Sequence, residues 1–317
     1  MTASLFETIP CPVCGQTSFD VVKPAKYSGD VSEQALRQAY SASSSHKLLD
    51  QVVKCRSCDM HYVNPRPSGD LIVESYAAAE DPGFVAQNEG RIRAFRKVLS
   101  AVLQRNQVRS GTGLRYLDIG CAGGASLEAA RSLGFSSPVG VEPSRWMADF
   151  GRRTYNVEIL DGILQPGMFP PQSFDFITLW DVLEHVPDPR ALLELVGQLL
   201  KPNGTFILSY PDFKGRVARF LGDRWPYWLS VHILYYDRKT ITRQLVAAGF
   251  QVDTLMPYWP VLQLGYIADR AAEYIPAFKL LKGLFKAVGA DKAFVPFNMG
   301  QTIVVAHKCR AQGPLTG

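Results

Sequence analysis

The sequence predicts an α/β protein whose main unit is a mostly parallel sheet covered by helices on both faces. From residue 113 onward, short apolar runs typical of strands alternate with amphipathic runs typical of helices. Residues 1–70 differ, because they carry two Cys-x-x-Cys pairs. The 317 residues, 47% of them hydrophobic, suffice for a large domain and a smaller one. We therefore predict a cysteine module over 1–70, a helical connector or cap over 71–112 and the α/β domain over 113–317.

The predicted elements follow one another regularly along the chain. The predicted strands are GLRYLDIG, PVGVE, VEIL, FDFITLWD, NGTFILSY, QVDTLMPY and QTIVVAHK. The helices between them are ASLEAARSLG, PSRWMADFGRR, DPRALLELVGQLL and RKTITRQLVAAGF. Gly134 and Gly249 are placed to end two of these helices, and Asp188 to cap the start of another. Upstream, residues 84–105 place apolar side chains at helical spacing with arginines between them, which predicts an amphipathic helix leading into the domain.

The four cysteines of the module indicate a metal site. Cys11 and Cys14 form one Cys-x-x-Cys pair, and Cys55 and Cys58 form the other. In a reducing compartment such pairs more often bind metal than form disulfides. Two pairs that face each other give the four-thiolate tetrahedral set of structural Zn²⁺, with no open position for water. The alternative is two unconnected thiol pairs.

The segment YLDIGCAGGASL, residues 116–127, predicts a ligand-binding turn. Ligands of open α/β sheets bind outside the carboxyl ends of the strands, and Glu142 ends the next strand, where an acid that binds ribose hydroxyls belongs. A dinucleotide fits poorly, because Ala122 replaces the glycine that admits a pyrophosphate and Asp118 would repel that group. A ligand with an adenosine, a cationic centre and an amino-acid end removes both objections. That ligand is S-adenosylmethionine (SAM).

With these motifs, the chain resembles class I SAM-dependent methyltransferases that carry an N-terminal zinc-ribbon-like segment. The matching runs are CPVCG, CRSCDMHYVNPRP, YLDIGCAGG, VGVEPS, FDFITLWDVLEHVPDP, LLKPNGTFILSYPD and HILYYDRKT. They extend from about residue 11 to 240. The resemblance implies a Rossmann-like sheet of seven strands, the last one antiparallel, with SAM across the strand tips. It also implies that the chain is an enzyme.

The resemblance assigns the turn after the first strand to the methionine end of SAM. Asp118, Gly120 and Gly124 match the motif that holds this end, and Cys121 and Ala122 line the same turn.

The next three strand ends are assigned to the rest of the cofactor. Glu142 matches the acid that binds the ribose hydroxyls, and Pro143 lies beside the adenine. Asp161, in the turn LDGIL, is expected to meet the adenine amino group. Trp180 and Asp181 end the fourth strand, next to the sulfonium.

The candidate catalytic residues are His185, His232 and Tyr235. A base is needed only if the methyl acceptor is a hydroxyl or an activated carbon acid. The fold places His185 just after the fourth strand, and His232 and Tyr235 lie in the segment that covers the substrate. The alternative for His185 is a structural bond to a backbone group. The aromatic residues of the insert 211–236 predict a lid, whose tryptophans either wall a pocket or form a small core beneath it.

We expect a small-molecule methyl acceptor. O- or C-methylation of a sugar, a nucleotide-sugar, a lipid-linked saccharide or a polyketide fits the resembling subgroup. One alternative is methylation of RNA or protein, suggested by the module and the arginines between 91 and 109, although these charges are more typical of a solvated face. A further alternative is a SAM-binding scaffold without catalysis, against which the intact Asp118, Gly120 and Glu142 argue.

Charge and targeting signals suggest a cytoplasmic protein. The net charge of +5 is mild and does not favour a nucleic-acid partner. The N-terminus lacks the basic start and apolar core of a signal peptide. Residues 275–289, IPAFKLLKGLFKAVG, place lysines along one helical face. This pattern predicts either a helix packed over the active site or in a dimer, or one that lies on an anionic membrane. The oligomeric state stays open.

Overall fold

The structure is a computed structural model that describes residues 5–27, 31–41, 47–272 and 278–309. The segment 275–289 therefore lies partly outside the described residues, as do the side chains of 279–282. Across the described ranges, every helix is too short or too polar to cross a lipid bilayer.

The elements are numbered in chain order. The strands are β1 (Phe6–Glu7), β2 (Phe19–Lys23), β3 (Val52–Cys55), β4 (His61–Val63), β5 (Arg66–Pro67), β6 (Arg115–Ile119), β7 (Ser136–Glu142), β8 (Glu158–Asp161), β9 (Phe174–Trp180), β10 (Leu200–Pro211), β11 (Leu234–Tyr235), β12 (Phe250–Pro257), β13 (Val261–Gln263), β14 (Phe294–Pro296) and β15 (Gln301–Lys308). The α-helices are α1 (Glu33–Ala39), α2 (Gly69–Ala77), α3 (Pro82–Val85), α4 (Asn88–Arg105), α5 (Ala125–Ser132), α6 (Arg145–Tyr155), α7 (Pro189–Leu199), α8 (Arg216–Leu221), α9 (Arg238–Ala247), α10 (Leu264–Ala272) and α11 (Phe278–Ala287). Short 3₁₀ turns span Leu183–His185 and Gly222–Arg224.

The main sheet has seven strands in the order β12-β15-β10-β9-β6-β7-β8. Strands β10, β9, β6, β7 and β8 run parallel to one another, whereas β15 runs antiparallel to both β10 and β12. The predicted α/β sheet with an antiparallel last strand is thereby confirmed. Because the parallel strands share one direction, the carboxyl ends of β6 to β9 meet at one edge of the sheet.

Capping residues begin and end the helices between these strands. The Asp188 carboxylate accepts a hydrogen bond from the Ala191 N–H at 3.0 Å, which begins α7 with Pro189 in its first turn. Gly134 and Gly249 follow α5 and α9 with φ angles of 88° and 83°. A left-handed residue of this kind stops a helix, and glycine adopts it without a Cβ penalty.

A smaller sheet contains strands from two distant parts of the chain. Its order is β11-β4-β3-β2, with β4, β3 and β2 from the cysteine module. Strand β11 comes from the predicted lid segment, and Leu234 pairs with Tyr62 of β4. The insert 211–236 is thus joined to the module by backbone hydrogen bonds. The hydrophobic core is likewise continuous from Met60 and Tyr62 to the main-sheet residue Leu208.

The aromatic side chains of the insert form a core beneath the lid. Trp225 is 1% exposed, and its indole N–H donates to the Met299 carbonyl at 2.8 Å. Trp228 packs against Tyr235 with ring centroids 4.6 Å apart. Tyr227 instead stacks near His232, at 5.9 Å. Of the two alternatives for the tryptophans, the small core is the one observed, since neither Trp225 nor Trp228 lines the cavity described below.

Candidate active site

A cavity of about 650 Å³ opens at the carboxyl ends of β6, β7 and β8. One wall is made by residues at these strand ends, including Gly120, Pro143 and Ile163. Side chains of α2 and α7 form the opposite wall, and His185 lies between them. The lining is mostly apolar, with Ile72, Val73, Leu192 and Leu195 among its residues. A cavity of this size and character suits a small molecule or a cofactor.

The turn after β6 is shaped to let a ligand approach the backbone. Gly120 lines the cavity with φ +70°, and a Cβ there would lie 2.6 Å from Cγ2 of Val182. Gly124 has φ +76° at the start of α5, and Ala122 between them is also left-handed at φ 46°. At Gly120 and Gly124 the backbone thus has a conformation that only glycine adopts freely. Cys121 contributes no side chain to the cavity wall, because its sulfur packs beneath Gly140.

Glu142, at the end of β7, is fully buried under this turn. Its Oε1 accepts from the Ser144 N–H and its Oε2 from the Ala122 N–H, both at 2.8 Å. Burial raises the pKa of Glu142 to about 7, against the lowering effect of the two N–H donors. Each carboxylate oxygen keeps a second lone pair. The acid therefore fixes the turn, and it lies behind the cavity wall that its neighbour Pro143 lines.

Asp118 lies one strand away and is 1% exposed. The Thr178 hydroxyl of β9 donates to its Oδ1 at 2.6 Å. Burial raises the pKa of Asp118 to about 7. Asp118 is outside the cavity wall and holds β6 to β9 directly below the turn.

The residues at the ends of β8 and β9 have defined partners. Asp161 forms an ion pair with Arg152 on α6 and is half-exposed, and Gly162 and Ile163, which follow it, reach the cavity. Trp180 donates to the Ser126 hydroxyl at 3.0 Å.

Asp181, the residue after β9, sits at φ 53°. Its Oδ1 accepts from the Ser209 hydroxyl at 2.8 Å, and its other oxygen bonds Gln301. Burial raises its pKa to about 6.

His185 and His232 lie against each other, with ring centroids 4.7 Å apart. Nδ1 of His185 lies 2.9 Å from the Val231 carbonyl, and Nδ1 of His232 lies 2.9 Å from the Tyr227 carbonyl. A carbonyl only accepts, so each Nδ1 carries the proton and each Nε2 keeps a lone pair. Burial lowers the pKa of His185 to about 4 and that of His232 well below its usual value, so both rings are neutral at pH 7. Both contain a nitrogen able to accept a proton or bind a metal.

Tyr235 is not part of this group. Its hydroxyl donates to the Leu229 carbonyl at 3.0 Å, and the side chain is 2% exposed within the small sheet. Because β11 pairs with β4, Tyr235 is directed into the core between lid and module. We therefore assign it a packing role.

Glu184 is the residue of this region that sequence reasoning did not single out. It is 1% exposed, and neither carboxylate oxygen has a hydrogen-bond partner on another described residue. Burial, together with the negative charge of Asp181, raises its pKa well above the usual range. Its backbone carbonyl accepts from the Ile233 N–H at 3.0 Å, which fixes the 3₁₀ turn beside the segment of His232. The adjacent His185 in LEHVPD pointed to this segment as functional. Nothing in the sequence indicated that Glu184 is buried.

The four module cysteines come together as predicted. The sulfurs of Cys11 and Cys58 lie 3.4 Å apart, and those of Cys14 and Cys55 lie 3.5 Å apart. All four sulfurs lie within 4.8 Å of one another. Four thiolates around Zn²⁺ at about 2.3 Å lie about 3.8 Å apart, so the cluster has the dimensions of such a site. His61 is not needed as a ligand, since its Nδ1 lies 2.8 Å from the Asp59 carbonyl and its ring packs on Phe213.

A family model described as a methyltransferase domain matches residues 86–255 of the chain. Among curated proteins, the ubiquinone biosynthesis O-methyltransferase of Xanthomonas campestris pv. campestris strain B100 is 37% identical over 107 residues, which cover 31% of this chain and 43% of that protein. The mitochondrial ubiquinone biosynthesis O-methyltransferase of Schizosaccharomyces pombe is 34% identical over 105 residues, or 31% and 38% of the two chains. This chain therefore spans less than half the length of these relatives.

A solved structure shows the same fold over a longer stretch. It belongs to the complex between the Haloferax volcanii Trm112 methyltransferase activator and a methyltransferase, and it superposes with a TM-score of 0.50 at 17% identity. The match covers 73% of this chain and 96% of that one. At this identity the likeness concerns the fold alone.

Proposed function

The chain belongs to the methyltransferase domain family of SAM-dependent enzymes, and from this premise we propose that it transfers the methyl group of SAM to a hydroxyl of a small molecule. The observation that carries the proposal is the single cavity that runs from the turn at Gly120 to His185. It joins the strand ends where this family binds its donor to His185, in a space lined mostly by apolar side chains. The curated relatives named above are O-methyltransferases, which favours O-transfer over C-transfer.

The residues at the strand ends match SAM in shape and in hydrogen-bonding groups. Gly120 leaves the cavity free where a Cβ would intrude, and Pro143 and Ile163 offer apolar surface for a purine. Glu142 lies at the strand end beside them, with acceptor capacity for ribose hydroxyls. When bound, SAM supplies a methyl carbon already activated by the adjacent sulfonium charge. The chain's own contribution is to position the acceptor and exclude water from the cavity.

A hydroxyl acceptor also needs help with its proton. His185 is the candidate nearest the cavity, and His232 supports it at ring contact. The low pKa keeps both imidazoles neutral at pH 7 and also makes them weak bases, so their position, not their basicity, makes them the candidates.

The arginines of α4 support a small-molecule acceptor over RNA. Arg91 donates to the Phe84 carbonyl at 2.8 Å and stacks over the Phe84 ring. Arg93 pairs with Glu89, and Arg105 bonds Thr254. These three side chains are therefore used within the protein, whereas Arg96 and Lys97 of the same helix are exposed; two such charges form a smaller basic face than the sequence suggests.

We further propose that the four-cysteine cluster binds one Zn²⁺ in a structural role. The cluster is closed, with Cys11, Cys55 and Cys58 buried. It would tie the loop between β1 and β2 to the end of β3, in the sheet that also contains β11, and so help to hold the lid segment in place.

The proposed reaction is tested by incubating the purified protein with SAM and panels of phenolic, saccharide and other hydroxyl-bearing acceptors. Mass spectrometry of the products should show a gain of one methyl group on an oxygen. A control without acceptor separates transfer from hydrolysis of SAM. Methylation of RNA in preference to every small molecule would overturn the proposal.

A further inference from the structure

Two histidines and one glutamate meet directly behind the wall of the cavity, and of the three only His185 lines it. The ligand atoms of Glu184, His185 and His232 all lie within 4.8 Å of one another. Glu184 and His185 come from the 3₁₀ turn after β9, whereas His232 comes from the lid segment before β11. The group is separate from the cysteine cluster and combines two imidazoles with one carboxylate.

From this grouping we propose a second metal site, in which Nε2 of His185, Nε2 of His232 and the Glu184 carboxylate bind a divalent first-row transition cation. Two imidazoles and one carboxylate form the ligand set of many catalytic Zn²⁺ and Fe²⁺ sites, which keep further positions open. Imidazole ligands favour such cations over Mg²⁺ and Ca²⁺.

The orientation of the histidines is that of metal ligands. Both Nδ1–H groups donate to backbone carbonyls at 2.9 Å, to Val231 and Tyr227. Metal-binding histidines usually fix the second ring nitrogen in this way, which sets the tautomer and aims the lone pair. Ligands at about 2.1 Å from one ion lie at most about 4.2 Å apart, so small side-chain rotations complete the set.

The unpartnered carboxylate is the independent observation. Glu184 is 1% exposed and neither of its oxygens is satisfied by another described residue. A buried carboxyl group without a hydrogen-bond partner is costly in either protonation state, and native proteins satisfy such groups with hydrogen bonds, pair them or use them to bind metals. Among the ion pairs of the described residues, none involves Glu184, while the carboxylate of Asp181 adds further negative charge nearby. A cation held by two neutral imidazoles would satisfy the Glu184 carboxyl group and offset the negative charge of Asp181.

The position of the ion suggests a role in methyl transfer, an inference that rests on the proposed function. His185 lines the cavity, so an open position of the ion is accessible to an acceptor that enters it. A cation there would lower the pKa of an acceptor hydroxyl. In that case Nε2 of His185 and Nε2 of His232 would bind the ion and would not take the proton of the acceptor hydroxyl directly.

Co²⁺ titration of the full chain, without SAM or acceptor, tests the site apart from catalysis. Thiolate ligands give Co²⁺ intense charge-transfer absorption, whereas histidine and carboxylate ligands give only weak visible bands. We expect both signatures in the wild-type protein after its metals have been removed: the intense one from the cysteine cluster and the weak one from one further ion per chain. Glu184→Gln and His232→Asn should each weaken this binding by at least about 10-fold and leave the thiolate signature intact.

Glu194→Gln is the matched control, because Glu194 also lines the cavity but is exposed on α7. It should bind Co²⁺ as the wild-type protein does. Thermal unfolding monitored by circular dichroism shows whether each variant is folded, and His185→Asn replaces any that is not. Absence of the second signature from the wild-type protein, or its persistence in folded Glu184→Gln, would overturn the proposal whether or not methyl transfer is observed.

Discussion

The carboxylate of Glu142 accepts the backbone N–H of Ala122 at 2.8 Å, and this bond ties the end of β7 to the turn after β6. The same carboxylate accepts the Ser144 N–H, which leads into α6. Three segments around the proposed donor site are therefore held by one buried acid. Stability and donor binding become linked through this residue.

Glu142→Ala should weaken both properties. Two buried N–H groups lose their acceptor, which costs about 1–3 kcal/mol for each unsatisfied group. SAM binding should fall at least 10-fold, about 1.4 kcal/mol, because the ribose also loses its acceptor. Urea unfolding and calorimetry measure the two effects. Glu158→Ala, at an exposed position on β8, is the control and should change neither; wild-type affinity in Glu142→Ala would remove Glu142 from the donor site.

Gly120→Ala tests the shape of the turn. A left-handed alanine costs about 1–2 kcal/mol, and the new Cβ would also meet Val182 at 2.6 Å. Gly113 has φ +78° but nothing within 4 Å of an added Cβ, so Gly113→Ala carries the strain without the collision. We expect SAM binding to be lost in Gly120→Ala alone. Equal binding losses in the two variants would show that backbone strain, not the cavity, is responsible.

The stability of the ligand-free protein should depend on pH through Asp118. Burial raises its folded-state pKa to about 7, so the folded state binds this proton more tightly than the unfolded state does. The free energy of unfolding should therefore decrease as the pH rises from about 4 to about 7. Asp118→Asn keeps an oxygen to accept from Thr178 and should reduce this slope, while Glu142 and Asp181, whose pKa values burial also raises, account for the remainder. An unchanged slope in the variant would assign the titration to other groups.

Removing the proposed Zn²⁺ from the cysteine cluster should lower stability before it affects chemistry. Cys58→Ser should reduce the free energy of unfolding by at least about 1.4 kcal/mol, the equivalent of a 10-fold loss of metal affinity. Cys309→Ser, at an exposed cysteine outside the cluster, should unfold like the wild-type protein. A chelated sample that unfolds normally but no longer transfers methyl groups would contradict the structural role.

The parts of the molecule with periodic sequence signals were predictable. The seven strands, the turn at Gly120 and the meeting of Cys11 with Cys58 follow from alternation, small residues and paired cysteines. The pairing of Leu234 with Tyr62 was not predictable, because a two-residue strand has no period and its partner lies far away in the chain.

The directions of individual side chains also could not be predicted from the sequence. Tyr235 and His232 are three residues apart, yet one faces the core between lid and module and the other faces His185. The burial of Glu184 depends on the lid segment packed over it, which local pattern does not encode.

The central claim is that the strand ends around Gly120 and Glu142 bind SAM. Isothermal titration calorimetry of the purified full-length protein with SAM, with NAD as the comparison ligand, tests it most directly. We predict one SAM bound per chain and no heat from NAD, since Ala122 and Asp118 disfavour a pyrophosphate. Absence of SAM binding by folded protein, or equal binding of NAD, would contradict the claim.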